Sequence, residues 1–186
     1  DLDSPSGLGR YWPLARELSM LGNQVTISAL HSNYKSLTQT RFQRDGVDIG
    51  YVAPMHVIKE GNIKRYYSPL ALLRVSVQAT LALTYAALSI PADIIYIGKP
   101  HPMNGTAGLL AKILRKQKVI LDCDDIEEST NRFGSGWQKR GVAFFERRLP
   151  RIVDYVTTHT DANRRRLLGF GVPEERLFYL PNGVDR

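Results

Sequence analysis

The residues best suited to chemistry lie in the run Asp122-Cys123-Asp124-Asp125-Ile126-Glu127-Glu128. Carboxylates this close repel one another and raise each other's pKa unless a cation, a hydroxyl or a helix N-terminus is near. The run follows the apolar segment Lys118 to Leu121, which reads as a strand, so it stands at a strand's C-terminal end. Open α/β sheets bind ligands outside those ends. Asp124 and Asp125 are therefore candidate site residues, the alternative being that one or two of these carboxylates cap the following helix. Gly98-Lys99-Pro100-His101-Pro102-Met103-Asn104-Gly105 forms a strand-to-helix loop on the same rim. Lys99 and His101 there suit a phosphate or a hydroxyl; the alternative is a rigid proline turn with exposed side chains. His31 closes the strand Val25 to Leu30 and shares that rim, whereas His56 and His159 lack metal-ligand spacing.

A second candidate is Ser4-Pro5-Ser6-Gly7-Leu8-Gly9-Arg10, directly before the first helix. Glycines let backbone approach a ligand, and free N–H groups with the helix dipole favour phosphate, so Gly7 and Gly9 are candidates for a diphosphate cradle. Gly-rich turns are also ordinary tight connections. The run lacks the third glycine of a GxGxxG fingerprint, and no GxxxxGK[ST] occurs, which argues against dinucleotide and P-loop readings.

These residues need elements to hold them. Leu14, Leu18 and Leu21 recur at helical spacing and Gly22 closes that helix before the strand Val25 to Leu30. Val47 to Ala53 after the Asp45-Gly46 turn and Asp93 to Gly98 read as strands, and Asn104 is placed to cap a helix leading to the strand Lys118 to Asp122. A helix over about 137–149, a strand Asp154 to Thr158, a helix capped by Asp161 and a strand Leu177 to Leu180 complete the alternation. That order predicts βαβ units and a parallel, doubly wound sheet. His31 to Arg44 and Pro54 to Tyr67 are polar and turn-rich and read as loops. Ser68 to Ile90 is apolar but interrupted by Arg74, Ser76, Gln78, Thr80, Thr84 and Ser89, whereas a spanning helix wants ~20 predominantly apolar positions. It reads as a long helix packed on the sheet, with a peripheral membrane contact by it or a neighbouring basic face as a further option.

At 186 residues and 43% hydrophobic the chain can bury one full core. Its lone cysteine, Cys123, excludes an intrachain disulfide and any CxxC site, which suits a reducing compartment such as the cytoplasm. A net charge of +7 asks for an anionic partner. The basic residues are dispersed without the aromatic interleaving of a nucleic-acid platform, so nucleic acid is not expected.

Several segments also carry a resemblance. Ser6-Gly7-Leu8-Gly9-Arg10, Leu14-Ala15-Arg16-Glu17-Leu18, Leu21-Gly22-Asn23-Gln24-Val25-Thr26 and Gly171-Val172-Pro173-Glu174-Glu175-Arg176 stand in order before the ending Leu180-Pro181-Asn182-Gly183-Val184-Asp185-Arg186. Together they resemble the N-terminal domain of a GT-B glycosyltransferase of family 4. Ser6 stands where the family has the first glycine of a Gly-Gly-x-Gly-Arg loop, and Asn23-Gln24 where it has His-Glu. Asp124 and Asp125 align with the family's His-Asp pair, in the Asp-Asp form of a subgroup that also carries Lys-Pro, as Lys99-Pro100 here.

The resemblance implies a Rossmann-like doubly wound parallel sheet, the N-terminal half of a two-domain GT-B architecture. Residues 1–186 would be the acceptor-side domain, with a short apolar strand expected ahead of Asp1 and a separate C-terminal nucleotide-sugar domain. That domain's paired glutamates are not in this chain, where no two glutamates stand eight positions apart. The implied function is the acceptor half of a retaining glycosyltransferase of hexosyltransferase type, moving a sugar from a nucleotide-sugar donor to a hydroxyl of a carbohydrate or lipid-linked acceptor. It would work in the cytoplasm or at the inner face of the cell membrane. Asp124 and Asp125 would be catalytic, Gly7 and Gly9 would approach the donor phosphates, and Lys99, His101 and His31 would meet the acceptor. No metal or further cofactor is expected, and the chain alone should transfer nothing. Two other readings stand beside it. Asp122-Cys123-Asp124 is an Asp-x-Asp after a strand, as GT-A transferases use to hold a divalent metal. The charge and rim loops would also serve a non-enzymatic anion- or carbohydrate-binding domain.

Overall fold

The computed structural model describes residues 2–60, 63–130 and 136–181, so Asp1 and the Asn182-Gly183-Val184-Asp185-Arg186 ending lie outside the described residues. The chain divides into two compact units, Asp1–Ala86 and Ala87–Asn182.

In the first unit a π-helical turn, Gly7–Tyr11, runs directly into α1 (Trp12–Met20). The helix ends where Gly22 takes φ 88°, a left-handed value that glycine adopts without strain. α1 lays Trp12 and Ala15 on Val47 and Ile49, with Leu2, Val25, Ile27 and Phe42 packed around them. The sheet beneath is β1 (Val25–His31), β3 (Val47–Pro54) and β2 (Arg41–Arg44) in that spatial order, β1 parallel and β2 antiparallel to β3. Asp45 and Gly46 both take positive φ, the geometry of the tight hairpin turn that Asp-Gly favours. The two stretches read as loops hold more order than expected. The first contributes β2, and the second contains the antiparallel hairpin β4 (Val57–Glu60) and β5 (Ile63–Tyr66). All four residues of β5 are exposed, so no buried face imposed the alternation that marks a strand in sequence.

α2 (Pro69–Ser89) carries the chain from the first unit to the second. It was expected to pack on the sheet, yet Leu70, Leu73, Val77, Leu81 and Tyr85 are exposed while Ala79 and Ala86 are buried. By length and composition alone it is long and apolar enough to cross a membrane.

The second unit is a regular β/α alternation. β6 (Ile94–Gly98), α3 (Pro102–Arg115), β7 (Lys118–Asp122), the short α4 (Glu127–Thr130), α5 (Gly136–Ile152), β8 (Tyr155–Thr158), α6 (Asp161–Gly169) and β9 (Leu177–Tyr179) follow one another. The four strands are parallel in the order β6-β7-β8-β9. The core gathers Ile97, Val119, Leu121, Leu149, Val153, Val156 and Leu167. Two expected caps move by a residue or more. Thr160, whose hydroxyl accepts from the Asn163 N–H at 3.2 Å, caps α6 in place of Asp161. α3 starts at Pro102, whose fixed φ suits a first helical position, so Asn104 lies inside the helix and its amide donates to the Gly98 carbonyl at 2.7 Å.

Close packing of α3 explains its glycines. A Cβ at Gly108 would stand 2.1 Å from Ile97 Cδ1 and 2.9 Å from Ile97 Cγ1, whereas a Cβ at Gly141 on α5 would meet nothing within 4 Å. Gly141→Ala should therefore stabilise the domain by about 0.5–1 kcal/mol through helix propensity. Gly108→Ala should lower its melting temperature, because overpacking of about 1–3 kcal/mol exceeds that gain. Thermal melts of the two variants beside the parent chain check both signs.

Candidate functional site

The parallel pairing of β6 with β7 puts Gly98 beside Asp122 and so brings the loops after both strands together. Lys99 is where this geometry is set. Its backbone lies at φ 74°, unusual for a residue with a side chain and costing about 1–2 kcal/mol. The Lys99 N–H donates to the Asp122 carbonyl at 3.2 Å, and the His101 N–H closes a tight turn around Pro100 onto the Lys99 carbonyl at 2.9 Å. The side chain is thereby sent across to the neighbouring loop. There the ammonium meets Asp125 Oδ2 at 2.8 Å, Glu127 Oε1 at 2.8 Å and Asp124 Oδ1 at 3.2 Å. The other oxygen of Glu127 lies 3.0 Å from His101 Nε2.

The three acids differ in exposure. Asp124 and Glu127 are buried, whereas the Asp125 side chain is 46% exposed and faces solvent. The Asp125 N–H donates to Asp124 Oδ1 at 2.9 Å. Burial pushes the Asp124 pKa up, with Lys99 working against that shift and Asp125 and Asp122 adding to it. For Glu127 burial also pushes upward, but the His101 hydrogen bond and the His101 and Lys99 charges win and hold its pKa at about 2. Burial opposes the Lys99 charge, yet Glu127, Asp124 and Asp125 together raise its pKa.

A second layer holds the loop from beneath. Glu146 of α5, 2% exposed, accepts from the N–H groups of Glu127 and Glu128 at 2.9 and 3.1 Å and from Arg166 at 2.8 Å. It caps the start of α4 from a distant part of the chain. Asn163 donates to the Cys123 carbonyl at 2.6 Å, and the Cys123 N–H donates to the Thr157 carbonyl.

Of the residues singled out in the sequence, Lys99, His101, Asp124 and Asp125 converge here. The Lys99 ammonium is engaged by all three carboxylates. Glu127 and Glu146 were not singled out. Their only sequence signal is that the acidic run outlasts its strand and that a glutamate interrupts the apolar spacing of α5. Asp122 does not join the cluster. It is fully buried and accepts from the Thr157 hydroxyl at 2.6 Å, which in turn shares a 2.9 Å hydrogen bond with the Tyr96 hydroxyl. Among the described residues, the acids whose oxygens converge closely enough to share an ion are Asp124, Asp125 and Glu127, with Lys99 against all three.

His31, Gly7 and Gly9 lie in the first unit. His31 Nδ1 accepts from the Asn33 N–H at 3.0 Å, its ring meets Tyr51 edge-on at 4.7 Å, and burial lowers its pKa. The glycine run is helical rather than a loop before a helix. Ser4 starts it, with its hydroxyl accepting from the Gly7 N–H at 3.0 Å and its carbonyl from the Leu8 N–H at 2.9 Å. Gly7 is buried, and Gly9 is exposed with nothing within 4 Å of where a Cβ would stand.

The fold is Rossmann-like α/β, of the kind that forms the N-terminal half of GT-B glycosyltransferases. The family of glycosyl transferase 4-like domains matches residues 6–183, and the chain belongs to it. Among solved structures, a sucrose-phosphate synthase from Thermosynechococcus elongatus superposes with a TM-score of 0.65 at 11% identity, over 98% of this chain and 43% of that one. A UDP-N-acetylglucosamine 2-epimerase aligns at a TM-score of 0.48 and 14% identity, over 86% of this chain and 49% of that one. The chain thus spans less than half the length of either. No curated protein matches it.

Glu127 makes the site sensitive to acid. Its folded pKa of about 2 lies below the ordinary 4.5, so its stabilisation is present above the unfolded pKa and is lost as pH falls towards 2. The size is about 3 kcal/mol. Asp124, raised, works in the opposite direction. Melting temperature should fall between about pH 5 and 2, and Glu127→Gln should flatten that acid limb while lowering stability at pH 7.

Proposed function

We infer that this chain is the acceptor-side domain of a retaining glycosyltransferase that moves a sugar from a nucleotide-sugar donor to a hydroxyl of a carbohydrate or lipid-linked acceptor. The observation that carries the reading is the Lys99 cluster at the C-terminal end of a parallel sheet, in a chain of the glycosyl transferase 4-like family. Asp125 offers an exposed carboxylate to a sugar hydroxyl, and the buried Asp124 behind it stabilises positive charge developing on the sugar ring. Lys99 and Glu127 fix the two aspartates, and His101, held by Glu127, faces the acceptor. Gly7, with the exposed Gly9 beside it, is assigned to the donor phosphates and His31 to the acceptor. A short strand ahead of Asp1 and a C-terminal nucleotide-sugar domain, with hexosyl transfer as its chemistry and the cytoplasm as its compartment, complete the proposal. A leaving diphosphate is neutralised by helix dipoles and basic side chains, so no metal is required.

In the full-length enzyme Asp124→Asn and Asp125→Asn should each lower turnover by on the order of 10²-fold, the scale of one preorganised electrostatic contact. Asp125→Asn should leave the melting temperature almost unchanged, since that side chain is half-exposed, and a chelator should leave the parent rate intact. Near-normal turnover in both variants would make the cluster structural, and loss of rate with chelator restored by manganese would replace the metal-free reading.

The isolated chain should bind UDP, GDP and their sugars weakly and turn none of them over. Calorimetric titration measures this, and micromolar affinity or turnover by the chain alone would remove the need for a second domain.

A further inference from the structure

The α5 helix does more on its outer face than its core packing requires. Val142, Glu146, Leu149 and Pro150 are buried, and the only acid of the helix, Glu146, is turned inward. Outward it shows Trp137, Phe144 and Ile152, each about half-exposed, among the exposed Arg140, Arg148 and Arg151. At 3.6 residues per turn, Trp137, Phe144, Arg148 and Arg151 fall within roughly 60° of arc. Arg147 flanks this face and pairs with Glu128 at 3.2 Å. Between α5 and α3 lies an open groove of about 190 Å³ lined by Leu109, Phe144, Phe145, Leu149 and Ile152, with Arg148 beside them. Ile113, one turn on from Leu109, is 70% exposed.

We propose that this face docks on an anionic phospholipid surface. Trp137, Phe144 and Ile152 enter the boundary between headgroups and acyl chains, the groove takes part of a chain, and Arg140, Arg148 and Arg151 meet lipid phosphates. Charge selects this occupant. A second copy of the same face would set arginines against arginines, with no exposed acid on α5 to meet them. A nucleic acid would satisfy the arginines and stack on Trp137 or Phe144, but would leave the aliphatic part of the groove, Leu109, Leu149 and Ile152, unfilled. The inference stands apart from the transferase reading, since it uses none of the residues at the Lys99 cluster.

The test is flotation of the 186-residue chain with vesicles of phosphatidylcholine alone or with about 30% phosphatidylglycerol. Binding to the anionic vesicles is expected at low salt, weakening at about 0.5 M sodium chloride as the charges are screened. Arg148→Gln with Arg151→Gln should weaken partitioning by roughly five-fold per arginine. Trp137→Ser with Phe144→Ser should abolish binding while the melting temperature holds, because both side chains are exposed. Emission should shift to the blue on binding, and Trp137→Phe should remove that shift. Several results would overturn the proposal: equal or absent flotation on both vesicles, binding indifferent to both pairs of substitutions, a dimer that Trp137→Ser with Phe144→Ser makes monomeric, or tighter binding to single-stranded RNA through the same arginines.

Discussion

The Lys99 ammonium sits within 3.2 Å of three carboxylates, and the loop after β7 depends on that contact. Asp124 and Glu127 are both buried, and two buried carboxylates in one loop cannot stay charged without a cation beside them. The cation reaches them because Lys99 adopts a left-handed backbone that a lysine would otherwise avoid. The cost of that conformation is offset by the charges it allows to remain.

The same contact gives the loop its shape. Glu127 holds Lys99 with one oxygen and His101 with the other, so the loops after β6 and β7 are tied at two points. Glu146 fixes the backbone under Glu127 and Glu128, and Arg166 keeps Glu146 compensated. A chain of charges thus runs from α6 through α5 to the rim. Asp122, placed one residue before Cys123, is turned by the strand into the interior onto Thr157, and it acts on the cluster through its charge, which raises the pKa of Asp124. Neighbouring acids in one short run therefore have separate jobs, decided by which way the backbone points each of them.

The second unit carries its positive charge away from this cluster as well. Burial of Glu146 leaves the outer side of α5 with basic and apolar residues and no compensating acid of its own. The net charge of +7 is thus not uniformly spread, and the helix that supports the rim loop from below also presents a basic, aromatic face outward.

Much of the architecture was legible from residue order. Short apolar runs bounded by turn signals marked β1, β3 and β6 to β9, and Asp45-Gly46 marked its turn because both residues accept positive φ. The short motifs from Ser6 to Arg176 marked the family to which the chain belongs. The hairpin β4–β5 escaped because an exposed strand leaves no apolar period, and the helical state of Gly7 escaped because glycines before a helix ordinarily mean a loop. Lys99, His101, Asp124 and Asp125 were each visible as candidates, since their types and their places after strands are properties of the sequence. Their grouping was not. Lys99 and Glu127 are 28 positions apart, and the parallel register of β6 on β7, with one left-handed residue, is what brings the ammonium onto the acids. Residue types and local periodicity are written along the chain, whereas the distance between charges exists only once the strands have paired.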